Sequence, residues 1–258
     1  MEIETFVQRE DRTDVKALSR YLQAGVVLTL LTMTANAGPV TFSALDAGAG
    51  TQAALTNSAA EATTFATAVA AGSQTLNTIL FGSDPLGAFT NLTVASGVVM
   101  NGSDISSSPQ TIINSPLCTA ALCGFAVNDS QWVSLDGGSV TFTFATPIDA
   151  FGAYLTGIQL TGESITFNDG AGQSIPIPNP GSGGGGAYVA FTDFGQGISS
   201  VTISAPGDII GVDDVSYASQ GGSPTPTSGT PEPATLSLVG FAFAGLAILG
   251  RRRQHNRG

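Results

Sequence analysis

Across most of this chain, carboxylates are the only side chains that ionise near neutral pH. All eight Lys and Arg residues, and the single histidine His255, lie within residues 9–20 or 251–257. Between residues 38 and 230 the sequence holds thirteen Asp and Glu and no Lys, Arg or His, a formal charge of −13. Nucleic-acid binding needs Lys or Arg against phosphates, so this stretch excludes it. Phosphate-bearing cofactors lose their usual cationic partners. A Ser-His-Asp or Cys-His nucleophile would have no base. Zinc would have no imidazole, and two cysteines do not make a tetrahedral site. What remains is paired-acid glycoside hydrolysis or the binding of a hard cation. Asp136 and Glu163 are candidates for an acid pair, but their types and spacing do not separate them from turn and strand-surface acids. A sugar-cleaving cleft also calls for Trp and Arg, and the chain has one tryptophan, Trp132.

The second reactive pair is Cys118 and Cys123, the only cysteines. If the protein is exported, two cysteines pair most simply with each other. The spacing is not that of a two-residue redox motif, and no histidine or lysine lies near to lower a thiol pKa. The expectation is an intrachain disulfide closing a small loop, with stabilisation at the low end of about 2–4 kcal/mol.

The elements that must position these groups are mostly strands. Residues 57–71 form the best helix. Ser58-Ala-Ala-Glu61 reads as a capping box, Ala62, Phe65 and Val69 share one face, and Gly72 is a stop. After it the apolar period becomes two. Residues 76–81, 91–95 and 97–100 read as short strands, and 101–116 as a surface excursion. Residues 131–135, the turn Asp136-Gly137-Gly138 and residues 139–145 read as a hairpin, with Val140, Phe142 and Phe144 on one face. Strands at 148–156, around Ile165 and Phe167, and at 187–192, 198–204 and 209–217 complete about ten. The glycine-rich run 181–186 lacks the Lys and the strand–loop–helix setting of a phosphate loop. Short strands with turns every 8–12 residues predict a mainly β fold: one β-sandwich or jelly-roll domain over residues 38–219, with one short helix.

The two ends read as export signals. Residues 24–34 are apolar and Ala35-Asn36-Ala37 comes directly after them, so residues 1–37 read as a signal peptide cleaved after Ala37. Five acids precede Lys16 in this region, which places the working positive end at Lys16 and Arg20. Residues 220–230 (QGGSPTPTSGT) are a Gly/Ser/Pro/Thr linker. Pro231-Glu232-Pro233 comes next, then an uncharged apolar run over 234–250, then Arg251-Arg252-Arg253. A helix of that length spans roughly 25 Å, near the lower limit for a bilayer core. The arginines hold the C-terminal end in the cytoplasm and leave the chain before residue 234 outside.

This tripartite order over residues 230–253 resembles the PEP-CTERM sorting signal of diderm bacteria. The resemblance implies recognition by exosortase, a membrane cysteine transpeptidase, with cleavage near Pro231, Glu232 and Pro233. It makes the inner-membrane helix a transient anchor and the destination the cell surface or extracellular matrix, often among exopolysaccharide producers. Residues 142–154 (FTFATPIDAFGAY), Ile165-Thr-Phe-Asn-Asp169-Gly170, residues 198–203 and Gly211-Val-Asp213-Asp214-Val-Ser-Tyr217 resemble galactose-binding-like, carbohydrate-binding jelly rolls. That likeness implies a non-catalytic structural or binding role, with carbohydrate as ligand. It also implies a structural calcium ion beside the closing strand, with Asp213, Asp214 and Asp208 as its ligands. Alternation along a strand sets Asp213 and Asp214 on opposite faces unless a bulge intervenes. The competing readings are a carboxylate-dependent polysaccharide-degrading enzyme and a self-assembling surface subunit.

Overall fold

A computed structural model describes residues 38–103, 110–128 and 130–219. Among them are thirteen strands: β1 (Val40–Ala47), β2 (Asn77–Ile79), β3 (Gly87–Ala88), β4 (Asn91–Ala95), β5 (Val98–Ser103), β6 (Thr111–Ile113), β7 (Trp132–Asp136), β8 (Ser139–Thr156), β9 (Ser164–Phe167), β10 (Gln173–Pro176), β11 (Gly185–Thr192), β12 (Ile198–Ser204) and β13 (Ile209–Ser219). Two α-helices, α1 (Thr56–Ala71) and α2 (Ala120–Cys123), and a 3₁₀ turn at Gln52–Ala54 accompany them. The fold is therefore mainly β with few helices, as the alternating pattern predicts. The signal peptide, the linker, the sorting tail and its apolar run lie outside the described residues. Among the described residues no helix is long and apolar enough to cross a membrane.

Every strand belongs to one antiparallel hydrogen-bonded sheet, and β8 is the strand it folds around. Its first half pairs with β12 on one side and β5 on the other; Phe142 lies opposite both Val201 and Met100. Its second half pairs with β11 and β13; Leu155 lies opposite Ala187 and Val212. One leaf thus runs β10-β9-β12-β8-β5-β4. The other carries β1, β11, β8, β13, β2, β7, β6 and β3. The inner faces of both leaves meet in one apolar core. Phe142 of the first half of β8 and Phe151 of the second stand 5.7 Å apart between ring centres. Phe167 and Phe191 stack at 3.7 Å. Burying a phenylalanine completely contributes about 1.5–3 kcal/mol, so this aromatic line accounts for much of the cohesion.

Three expectations change. Strands β7 and β8 do not form a hairpin: β7 pairs with β6 and β13, while the start of β8 pairs with β5 and β12. The Asp136-Gly137-Gly138 turn instead carries the chain from one leaf to the other. Gly137 takes φ +70°, which favours glycine. The Gly137 N–H donates to Asp208 O at 2.9 Å and the Ala205 N–H to Gly138 O at 2.9 Å, docking the turn onto the β12–β13 connection. Second, residues 139–156 are one strand rather than two. Third, the capping box of α1 does not form. Ser58 lies buried within the helix, and Glu61 accepts from the Ser43 N–H at 3.2 Å. Asp46 of β1 caps the helix from outside, accepting the Asn57 N–H at 3.0 Å and the Ser58 N–H at 2.8 Å.

Helix α1 packs Phe65 and Val69 onto the outer face of the second leaf, against Phe42, Tyr188, Ala150, Ala190 and Ala218. All eight residues of β11 are therefore buried, which explains its continuous apolar run. Gly72 ends the helix with φ −74°, and the left-handed residue is Ser73 at φ 59°. The reason for glycine at position 72 is space: a Cβ there would meet the Phe194 ring at 2.7 Å and displace it.

Candidate functional site

Topology gathers seven of the acids of this domain at the two ends of β12 and along β13: Asp149, Glu163, Asp169, Asp193, Asp208, Asp213 and Asp214. Glu163, just before β9, and Asp208, just before β13, meet at one end. Asp208 is buried, and its carboxylate accepts three backbone N–H groups: Gln159 at 2.7 Å, Leu160 at 2.9 Å and Ile209 at 2.8 Å. It ties the β8–β9 connection to the start of β13. Gln159 Nε2 also donates to Leu122 O, which brings α2 to the same end. Glu163 is 2% exposed, and neither of its oxygens meets a hydrogen-bond donor. Burial and the facing Asp208 charge push its pKa up to about 7.

At the opposite end lie Asp149 of β8, Asp169 of the β9–β10 turn and Asp193 of the β11–β12 connection. Asp169 sits in an Asx turn that alternation and the following Gly170 already indicate. Its Oδ1 accepts the Ala171 N–H at 2.9 Å and its Oδ2 accepts from Gln173 Nε2 at 2.8 Å. The Ala171 N–H foremost holds its pKa below the usual carboxylate range. Asp149 and Asp193 are 1% and 4% exposed. The Asp193 N–H donates to Asp149 O at 2.7 Å, and Gln74 Nε2 donates to Asp149 Oδ2 at 2.7 Å. Burial, then the neighbouring Asp169 and Asp149, push the Asp193 carboxyl up to about 6.

Of the three acids expected beside the closing strand, Asp208 lies at the start of β13 and Asp213 and Asp214 in its middle. Asp213 lies five positions beyond Asp208 along the strand, roughly 17 Å of extended chain, so the three are not brought together. A bulge interrupts the strict alternation expected there. Asp214 takes φ 46° and the β8 register shifts between Asp213 and Ser216, so both carboxyls are buried. Asp213 accepts the Val127 N–H at 2.6 Å and the Asp214 N–H at 2.8 Å. It fastens residues 124–128 to the sheet. No three Asp, Glu, His or Cys side chains among the described residues form a metal-binding group.

Most aromatic residues of the described structure are buried. Trp132 is 1% exposed and supports Gly211 and Gly124 from below, where a Cβ at either glycine would meet its ring at 2.8 Å. Tyr154 is half-buried and stands 4.9 Å from Tyr188 in an edge contact. Burial, then the Asp214 and Asp46 charges, push the Tyr154 pKa up. Among the described residues Phe194 is the exposed aromatic ring, lying over Gly72. Cys118 and Cys123 are joined as expected, with Cα atoms 5.4 Å apart, and the bridge flanks α2. Asp136, the other acid considered for hydrolysis, sits at the end of β7 opposite Ile209, and Glu163 faces Asp208.

Sequence reasoning passed over Asp46, Asp149, Asp193 and Gln74. An acid inside an otherwise apolar strand, as in Ile148-Asp149-Ala150, was the available signal for one of them. The others act across long sequence separations that no local pattern displays.

Residues 230–253 match the PEP-CTERM protein-sorting motif. No curated protein sequence matches the chain. Among solved structures it is similar to a mutant of a family 29 carbohydrate-binding module, at 12% identity and a TM-score of 0.28 over 57% of this chain and 94% of that one. It is also similar to TmCBM61 in complex with β-1,4-galactotriose, at 11% identity and a TM-score of 0.24 over 49% of this chain and 90% of that one. Likeness at that level carries no argument about the ligand.

Proposed function

We propose that this is an exported, exosortase-sorted protein of the cell surface or extracellular matrix, with a non-catalytic role and carbohydrate as its ligand. The observation that carries the reading is the sorting motif at residues 230–253. The Cys118–Cys123 bridge suits an oxidising compartment. With Trp132 buried, a sugar would be held by hydroxyl and amide groups such as those of Asn91, Thr93 and Asn101 on β4 and β5. The Asn91 Nδ2 group already donates to Asn101 Oδ1 at 2.7 Å.

The test begins with expression beside an exosortase. The secreted protein should start at Gly38 and end near residues 231–233 by intact mass. A released protein that keeps Arg251, Arg252 and Arg253 would refute the sorting reading. The mature protein is then applied to a glycan array. Binding to one polysaccharide class supports the ligand assignment. A blank array, with concentration-dependent assembly in sedimentation, would replace it by the self-assembling subunit.

A further inference from the structure

The end of the domain that holds Asp149, Asp193 and Gln74 is rich in oxygen acceptors and poor in donors. Asp149 Oδ1 and Asp193 Oδ2 are buried and meet no hydrogen-bond donor. Gln74 Oε1 is in the same condition, although it belongs to an amide and not an acid. Its orientation is fixed, because Gln74 Nε2 donates to Asp149 Oδ2 at 2.7 Å. Three chain segments supply these atoms: the exit of α1, the middle of β8 and the connection after β11.

A buried carboxylate is normally neutralised by Arg, Lys or His, or saturated by N–H donors. Residues 38–230 contain no Arg, Lys or His, so the protein has no cation to offer. Asp208 shows the second solution, with three backbone N–H groups on its oxygens. Asp149 Oδ1 and Asp193 Oδ2 have neither. Asp193 also contacts the Asp169 carboxyl, which leaves Asp149 Oδ1 and Asp193 Oδ2 open to a cation from solution.

We infer that Asp149, Asp193 and the Gln74 amide oxygen form a structural Ca²⁺ site at this end of the domain. Calcium is an oxygen-seeking ion, accepts carboxylate and amide ligands together, and completes its six to eight ligands with water. It tolerates irregular geometry better than Mg²⁺ does. The site is made of two carboxylates and an amide oxygen, so it is not one of the three-acid groups that are absent among the described residues. It would pin the exit of α1 to both halves of the loop system beside it. The neighbouring Asp169, tied by the Ala171 N–H and Gln173, adds negative potential without being needed as a ligand.

The experiment uses the full-length protein freed of metal with EDTA at pH 7.5. Calcium chloride is titrated by calorimetry, and thermal melts are recorded with and without millimolar calcium. One bound equivalent and a rise of several degrees are expected. Asp149→Asn should remove both effects. Gln74→Leu, at a half-buried position, should weaken binding about tenfold, one lost oxygen ligand being equivalent to a 1.4 kcal/mol change. Glu163→Gln, at the far end of β12, should bind calcium as the wild type does. Absence of heat and an unchanged melt in the wild type would overturn the site. So would a calcium response that survives Asp149→Asn. A melting temperature that ignores calcium but rises on acidification in EDTA would show a proton in its place, and would overturn it too.

Discussion

Glu163 is the side chain whose surroundings are most at odds with its charge. Its oxygens meet no donor, and the group it faces is an Asp208 already committed to three N–H groups. The arrangement favours a protonated Glu163, which explains why burial and Asp208 raise its pKa from 4.5 to about 7. A carboxyl with a raised folded-state pKa adds stability that is complete below its unfolded value. That contribution is lost as pH climbs through the folded value. The window here runs from about pH 4.5 to about pH 7. Glu163→Gln keeps the shape and removes the charge. Its melting temperature should lie several degrees above the wild type at pH 8 and level with it at pH 4. A variant that melts below the wild type at pH 8 would show that Glu163 is held ionised. Nothing in the sequence around Glu163 discloses this, because its partner lies 45 positions away across two strand pairs. By contrast, the Asx turn of Asp169 is legible locally, since it rests on neighbours within two residues.

Among the elements, strand identity is legible in the sequence and strand partnership is not. The limits of β4 and β12 match the expected 91–95 and 198–204, because alternation marks a strand whatever it pairs with. The expected β7–β8 hairpin is absent because a Gly-Gly turn signals only that the chain reverses. Whether the reversal stays within a leaf or crosses between leaves depends on what the turn docks against, here Gly137 and Gly138 on the β12–β13 connection. Helix α1 teaches the same lesson: its limits follow from periodicity, but its cap comes from Asp46 on another element. Asp46 is buried yet its pKa is lowered, the rise from burial being outweighed by the Ser58, Asn57 and Thr56 donors. Asp46→Ala leaves the Asn57 and Ser58 N–H groups without their acceptor. It should cost about 1–2 kcal/mol in denaturant unfolding at pH 7. A change below a few tenths would mean that the helix needs no cap from β1.

The molecule as a whole carries one sign of charge from residue 38 to residue 230. A compact body with this charge repels itself, and no attractive ion pair exists in that stretch for salt to weaken. Raising sodium chloride from roughly 10 mM to roughly 300 mM shortens the screening length from about 30 Å to about 6 Å. The melting temperature at pH 7 should therefore rise with added salt in calcium-free buffer. A fall would point to favourable charge interactions that the sequence does not contain. This trait was legible from composition alone. The two-leaf wrapping around β8 was not, because a strand that serves both leaves looks, residue by residue, like any other alternating run.

The pairing of β1 sets an order of events. Val40 lies opposite Thr192, and Val215 of β13 lies opposite Ile79. The first strand therefore has no strand partner until about 150 further residues have been synthesised, and β2 waits for about 136. Loops of that length close slowly, and non-local antiparallel topologies belong to the slow class of folding. During translation β1 and β2 have no strand to pair with, although α1 can already dock on β1 and β4 can pair with β5. The sheet stays open in this form, one in which a chain can be passed through a narrow pore before its last strand locks the rest in place.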